Sequence, residues 1–209
     1  MNSGGIVLCG GRSSRMGRAK AMLPFGPELM LQRVVRLLGE VVSTIVVVAA
    51  PDQELPELPP HVLIARDERE GRGPLEGLCA GLSAMPSHVT AAFATSCDVP
   101  LLEPAVVRHM LESLGDCDAA VPVDGQFHHP LAAAYRMTVL PHIRELLAAD
   151  RLRPFFLFER VKTHRVPVER LRKFDPELRS LMNLNTPDDY RQALCVAGFG
   201  DEPSSQPTG

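Results

Sequence analysis

A chain of 209 residues, 45% of them hydrophobic, is long enough to enclose one substantial core and too short for two full domains. A net charge of −3 with only 5% aromatic residues offers neither the basic footprint nor the stacking platform that a nucleic-acid polymer requires, which favours a small mobile ligand. No stretch approaches the roughly 20 apolar residues that span a bilayer, and the start of the chain lacks a charged segment followed by a long apolar one, so a cytoplasmic protein with no membrane partner is expected. Five cysteines, an odd number with no Cys-x-x-Cys pair, argue against a disulfide framework or a structural zinc site and read as reduced, mostly buried thiols.

In chain order, apolar β-branched runs alternate with helical patterns, the rhythm of a mostly parallel sheet covered on both faces. Residues 6–9 read as a short buried strand that runs into Gly10-Gly11-Arg12-Ser13-Ser14-Arg15-Met16-Gly17-Arg18-Ala19-Lys20. The glycines there permit close ligand approach, and exposed amides can face an anion. The first 20 residues carry four cations (Arg12, Arg15, Arg18, Lys20) and no carboxylate, which leaves 18 Lys+Arg against 25 Asp+Glu in the remainder. Positive charge is thus concentrated where the loop is, and a phosphate guest is favoured over a merely solvated basic turn. Two familiar phosphate loops are excluded by spacing. Gly11 and Gly17 enclose five residues where a Walker loop needs four, and adjacent Gly10 and Gly11 cannot supply Gly-x-Gly-x-x-Gly.

Leu29, Leu31, Val34, Val35, Leu37 and Leu38 give the next helix its buried face. Residues 43–50 (STIVVVAA), apolar almost throughout, form the clearest interior strand. Residues 51–60, rich in proline, read as an irregular surface loop. Further strands are expected at 62–65, 90–96, 119–123, 132–136 and 163–166, with helices at 75–84, 104–114, 138–149, 154–158 and 187–195. The domain is expected to run over 1–197, with a tail from Gly198 whose composition is that of disorder.

Four places carry candidate chemistry. Asp98, in Cys97-Asp98-Val99-Pro100, falls at the carboxyl end of a central strand, where open α/β sheets bind ligands. A carboxylate there can hold Mg²⁺, which screens triphosphate charge; the alternative is a helix cap or turn. Gly73-Pro74-Leu75 opens a helix with small residues at Gly77, Ala80 and Gly81, suited to close packing or to a ligand. In Asn183-Leu184-Asn185-Thr186-Pro187, Thr186 reads as an N-cap with Pro187 at the first helical position. The pair His128-His129 suggests metal, but without further ligands at zinc spacing a positioning or packing role is favoured.

Together the glycine loop, Cys-Asp-x-Pro, Gly-Pro-Leu-x-Gly, His-Pro and Asn-x-Asn-Thr-Pro elements, in that order over nearly the whole chain, resemble the molybdenum cofactor guanylyltransferases. The resemblance implies a three-layer Rossmann-like nucleotidyltransferase fold and transfer of GMP from GTP to the phosphate of molybdopterin. It implies Lys20, Arg15 and Asp98 as catalytic residues. Nucleotide contacts fall to Leu8, Cys9, Gly10, Gly11, Lys20, Asp67, Gly73, Pro74, Leu75 and Asp98, although Asp67 also reads as a solvated loop charge. Asp98 would hold Mg²⁺, with Mn²⁺ as a substitute, while Asn183 and Asn185 would contact the pterin substrate or the metal sphere. Molybdoenzymes or their chaperones are implied as recipients of product. Where the family often places Thr in Cys-Asp-x-Pro this chain has Val99, and after its second strand it has Val48-Ala49-Ala50 where an Asn often serves the base. A transferase using CTP or a sugar phosphate, or a non-catalytic nucleotide carrier, are the rival readings.

Overall fold

The computed structural model of the chain describes residues 2–9, 19–66 and 72–200. Strand β1 (Ser3–Leu8) leads to the loop; a turn of 3₁₀ helix at Lys20–Met22 and a small hairpin of β2 (Pro24–Phe25) and β3 (Glu28–Leu29) follow it. Next come α1 (Met30–Gly39), β4 (Thr44–Ala49), β5 (Val62–Arg66), α2 (Pro74–Ser83) and β6 (Ala91–Ser96). The second half comprises α3 (Pro104–Glu112), β7 (Ala119–Asp124), β8 (Phe127–His128), β9 (Ala133–Arg136), α4 (Leu140–Ala148), α5 (Phe155–Phe158), β10 (Thr163–Pro167) and α6 (Pro187–Val196).

The main sheet runs β10-β7-β9-β6-β1-β4-β5, with β8 paired to β7. β6, β1, β4 and β5 are parallel neighbours, β10 is parallel to β7, and β9 lies antiparallel between β7 and β6. The chain leaves β1 for β4 on one side and returns to β6 on the other, so the strand order reverses at β1. Ligand crevices in open α/β sheets form above the carboxyl ends of strands at such a reversal. Strands buried on both faces must be apolar throughout, and β1 and β4 meet that condition: Ile6, Val7, Val46 and Val47 are all fully buried.

Alternate side chains feed two cores. Val7, Ile45, Val47 and Phe93 pack under α1 and α3, whereas Ile6, Val46, Val48 and Tyr135 pack under α2 and α4. Helices, sheet and helices therefore form three layers, as expected. Two glycines set the depth of the layers on β1. A Cβ on Gly5 would stand 2.4 Å from Cδ2 of Leu38 in α1, and one on Gly81 of α2 would stand 2.6 Å from Cγ2 of Ile6. Gly81 of α2 thus serves close helix–sheet packing.

The C-terminal end departs from expectation. Gly198, with φ +78°, closes α6: its N–H donates to the Cys195 carbonyl (3.0 Å) and that of Phe199 to the Leu194 carbonyl (2.8 Å). This is a Schellman cap. The Phe199 ring then packs edge-on against Phe25 at 6.0 Å, so residues 198–200 belong to the packed structure; residues 201–209 lie outside the described residues. Turns of 3₁₀ helix at Val168–Lys173 and Arg179–Leu181 also went unanticipated, because such short turns leave no periodic signature.

Overpacking against Leu38 makes Gly5→Ala costly, by about 1–3 kcal/mol in urea unfolding. Gly39→Ala is the control: its Cβ would meet only Ile45 Cδ1 at 3.8 Å, and it should be neutral or slightly stabilising.

Candidate active site

The carboxyl ends of β1 and β6 place Cys9 and Cys97 side by side, since Leu8 pairs with Ser96 in the parallel register. The Cys97 N–H continues the ladder to the Leu8 carbonyl (3.0 Å) and that of Cys9 to the Val48 carbonyl (2.8 Å). Both thiols are buried, and a hydrogen bond from Cys97 together with burial pushes the Cys9 thiol well above its usual range. Cys9 is thus a neutral packing group rather than a nucleophile. Fewer cysteines are buried than expected, as Cys79 and Cys117 are half-buried and Cys195 is exposed.

One residue beyond Cys97 the chain turns away from the sheet and presents Asp98. Its Oδ2 accepts a hydrogen bond from the Lys20 ammonium at 2.7 Å, and the same Nζ donates to Oδ1 of Asn185 at 3.1 Å. Three sequence motifs, from positions 20, 98 and 185, therefore meet at one nitrogen. Asp98 does not cap α3, whose N-cap is Glu103, so the capping alternative falls. Its other oxygen, Oδ1, is buried and has no hydrogen-bond partner among the described residues. A buried carboxylate oxygen in that condition lacks a cationic or donor partner. It is a hard ligand of the kind Mg²⁺ takes. Among the described residues no group of three or more His, Cys, Asp or Glu side chains is placed to hold a metal.

Asn185 reaches this point because its neighbour is an anchor. Leu184 is buried in a small cluster with Leu23, Phe25, Met30 and Ala193, and its N–H donates to the Asp98 carbonyl at 3.0 Å. With Leu184 pinned inward, Asn183 and Asn185 are left exposed on either side of it. Thr186 caps α6 as expected: its Oγ1 accepts from the Asp189 N–H (3.1 Å), and Oδ2 of Asp189 accepts from the N–H groups of Thr186 (2.9 Å) and Asn185 (3.0 Å). The Thr186 side chain first, then the two N–H groups that donate to Oδ2, hold the Asp189 carboxyl below the usual carboxylate range. The same cluster seats Leu23, three residues after Lys20, and so supports both partners of Asp98.

Gly73 is the N-cap of α2 with φ +80°, a conformation that favours glycine, and Pro74 follows at the first helical position. Leu75, the next residue, is fully buried. Leu8 ends β1 and Cys9 follows it, whereas Gly10, Gly11, Arg15 and Asp67 lie outside the described residues. His128 stacks on Phe158 at 5.4 Å, which bears out packing; burial holds the half-buried His129 below its ordinary pKa. A hollow of about 200 Å³ opens between Pro74, His129, Leu131, Ser180 and Asn183. Gln53 was not foreseen: its carboxamide reaches the Cys9 carbonyl from 44 residues away, a contact that no local pattern announces.

A switch-point sheet whose crest gathers a lysine, a carboxylate and a carboxamide defines a nucleotidyltransferase. The model of the MobA-like NTP transferase domain matches residues 5–165. A probable molybdenum cofactor guanylyltransferase from Pelotomaculum thermopropionicum is 34% identical, with 92% of each chain covered. One from Mycobacterium avium is 36% identical over 91% of this chain and 94% of its own. The crystal structure of molybdopterin-guanine dinucleotide biosynthesis protein A from Archaeoglobus fulgidus superposes with a TM-score of 0.76 at 25% identity, covering 93% of this chain and 98% of that one. The fold alone is shared with 2-C-methyl-D-erythritol 4-phosphate cytidylyltransferase from Thermus thermophilus, at TM-score 0.65 and 16% identity over 95% of this chain and all of that one. The chain belongs to the molybdenum cofactor guanylyltransferase family.

Side chains of Lys20 and Asp98 are only 18% and 11% exposed, so removing the ammonium strands a carboxylate that is largely out of water. Lys20→Met is expected to lower unfolding free energy by about 1–3 kcal/mol, and Asp98→Asn by less, because an amide oxygen still accepts from Nζ. For His129, whose folded pKa is depressed by burial, stability is intact above the unfolded value of about 6.5 and falls as pH drops through the folded value. His129→Gln should flatten that part of the melting-temperature profile on acidification.

Proposed function

We propose that this chain transfers GMP from GTP to the terminal phosphate of molybdopterin, yielding the guanine dinucleotide cofactor and pyrophosphate. An oxygen of the acceptor phosphate attacks the α-phosphorus, a new P–O bond forms, the bond to the β-phosphate breaks, and pyrophosphate carries away the electron pair. No protein nucleophile enters the reaction. The convergence of Lys20, Asp98 and Asn185 on one point above β1 and β6 is the observation that carries this reading, since catalysis of such a transfer rests on alignment and charge stabilisation.

In this assignment Lys20 exchanges Asp98 for the nucleotide phosphates, where its charge, with that of Arg15, offsets the negative charge that accumulates on the leaving pyrophosphate. Asp98 would hold a divalent cation, Mg²⁺ or Mn²⁺, its unpartnered buried oxygen fitting a hard ion. When bound, that ion supplies neutralisation of phosphate charge. Backbone groups of Leu8, Cys9, Gly10 and Gly11 cradle the nucleotide, Gly73, Pro74 and Leu75 border its nucleoside, and Asp67 contributes to nucleotide binding. Asn183 and Asn185 flank the acceptor. The 200 Å³ hollow between Pro74 and Asn183 offers the pterin a place that touches both the nucleotide turn and the Asn-Leu-Asn segment. Product passes to molybdoenzymes or their chaperones, and the cytoplasm, where GTP is abundant, is the compartment; no helix among the described residues is long and apolar enough to cross a membrane.

Pyrophosphate release, followed with molybdopterin, Mg²⁺ and each of GTP, CTP and ATP, tests the assignment. GTP alone is expected to support turnover; release with CTP instead, or nucleotide binding with no release at all, overturns it. Lys20→Ala and Asp98→Ala should each lower kcat/KM by about 10²–10⁴-fold, with near-UV circular dichroism unchanged.

A further inference from the structure

The geometry points to Arg33 as a positioning residue that aims the Asp98 carboxylate at its cation, an inference that rests on the reading of Asp98 as the metal ligand. Asp98 lies on a run of four buried residues, Cys97-Asp98-Val99-Pro100, that turns from β6 towards α3. A buried turn has no water to satisfy its backbone, so its carbonyls take partners from the protein. The Asp98 carbonyl accepts from the Leu184 N–H at 3.0 Å. Two residues on, the Pro100 carbonyl accepts from Nε of Arg33 at 2.7 Å. Val99, between these two pins, is buried in the core beneath α1 and α3. The carboxylate therefore projects from a backbone held on both sides of a buried residue.

Of the two pins, the one from Arg33 is charged, and its donor is itself clamped. The guanidinium carbon lies 5.0 Å from the centre of the Phe25 ring and 5.5 Å from that of Phe199. Nη1 stands 3.7 Å from Oε2 of Glu28, a carboxylate that Arg36 holds through both of its oxygens, at 2.8 and 3.2 Å. The Arg33 side chain is only 15% exposed, and burial, ahead of the charge of Arg36, draws its pKa below the ordinary value. Burying a charge is costly unless its surroundings answer it, and here two ring systems, a carboxylate and a carbonyl do so. A planar guanidinium can meet all of them at once, which a lysine ammonium cannot. The clamp extends to the end of α6, because the Schellman turn at Gly198 sets Phe199 in place.

A metal ligand binds well only when its oxygen is already aimed, and the groups that orient a ligand are worth about 10–100-fold in metal affinity. Arg33 orients Asp98 through the backbone and touches neither of its carboxylate oxygens. Lys20 is seated by a different route, since Leu23, three residues after it, packs in the cluster with Met30 and Leu184. Loss of the guanidinium should therefore weaken the hold on the cation and leave the binding of phosphate unaltered. A merely structural arginine would lower stability and affect both alike.

Two titrations of the full chain separate these outcomes: Mn²⁺ alone, followed by the electron paramagnetic resonance of the free ion, and inorganic tripolyphosphate with metal removed by chelation, followed by calorimetry. Two variants are compared with the parent. Arg33→Met keeps an apolar side chain against Phe25 and removes the donor; Arg33→Lys keeps the charge without the plane. In Arg33→Met the dissociation constant for Mn²⁺ is expected to rise about tenfold, and in Arg33→Lys by a smaller factor, while tripolyphosphate binds both variants as it binds the parent. Parent-like Mn²⁺ affinity in Arg33→Met overturns the inference, as does parallel weakening of Mn²⁺ and tripolyphosphate, which marks a general loosening of the site. If Arg33→Met does not fold, Arg33→Lys decides alone, and parent-like Mn²⁺ affinity in it then overturns the inference. Asp98→Asn supplies the reference: a parent chain that binds Mn²⁺ no better than this variant overturns the metal reading of Asp98 and this inference with it, whereas binding that depends on Asp98 but not on Arg33 overturns this inference alone.

Discussion

The upper face of this molecule is organised by one ion pair between residues 78 positions apart, Lys20 and Asp98, joined at 2.7 Å. Each is attached to the exit of a different central strand. Opposite charges held this close and mostly out of water stabilise each other only while both are present, and isolating either is costly. The pair thus keeps the site assembled before any ligand arrives. It also defines the trade that binding would make: an anion draws the ammonium, a cation takes the carboxylate, and both charges remain neutralised throughout.

What keeps those two side chains in register is ordinary packing. Gly5 and Gly81 let α1 and α2 approach β1 from opposite faces, which fixes the strand whose end carries the loop. Below Lys20, the buried cluster of Leu23, Phe25, Met30, Leu184 and Ala193 ties the hairpin, α1 and the Asn-Leu-Asn segment into one block. Arg33 adds a strut from α1 to the Asp98 turn by donating to the Pro100 carbonyl at 2.7 Å. Preorganisation of this sort costs nothing at the moment of reaction, which is why charged groups in such a setting act more strongly than in water.

Much of this was legible in the sequence, and the exceptions share a cause. Asp98 could be placed at a strand end because the apolar run that starts at Ala91 gives way just ahead of Cys97, and Thr186 could be read as a cap because a Thr-Pro pair opens a helical pattern. α1 and the interior strands followed from periodicity, a local property. The direct bond between Lys20 and Asp98, the carbonyl contact that seats Leu184 on Asp98, and the reach of Gln53 to Cys9 depend on residues brought together only by folding. Residues 198–200 show the complementary case: Gly198 and Phe199 have the composition of a loop, yet a glycine just past a helix followed by an apolar residue is also a Schellman signature.

β9 has a consequence for how such a chain can diversify. It is the antiparallel joint between the parallel set β6, β1, β4 and β5, which bears the Lys20 and Asp98 exits, and the outer pair β7 and β10. Substitutions in β7, β8 and the turn that carries His128 and His129 leave the ladder of the inner strands intact, so the outer strands can diversify while the inner four inherit their pairing unaltered. The two parts of the sheet can then change on separate sides of a single seam.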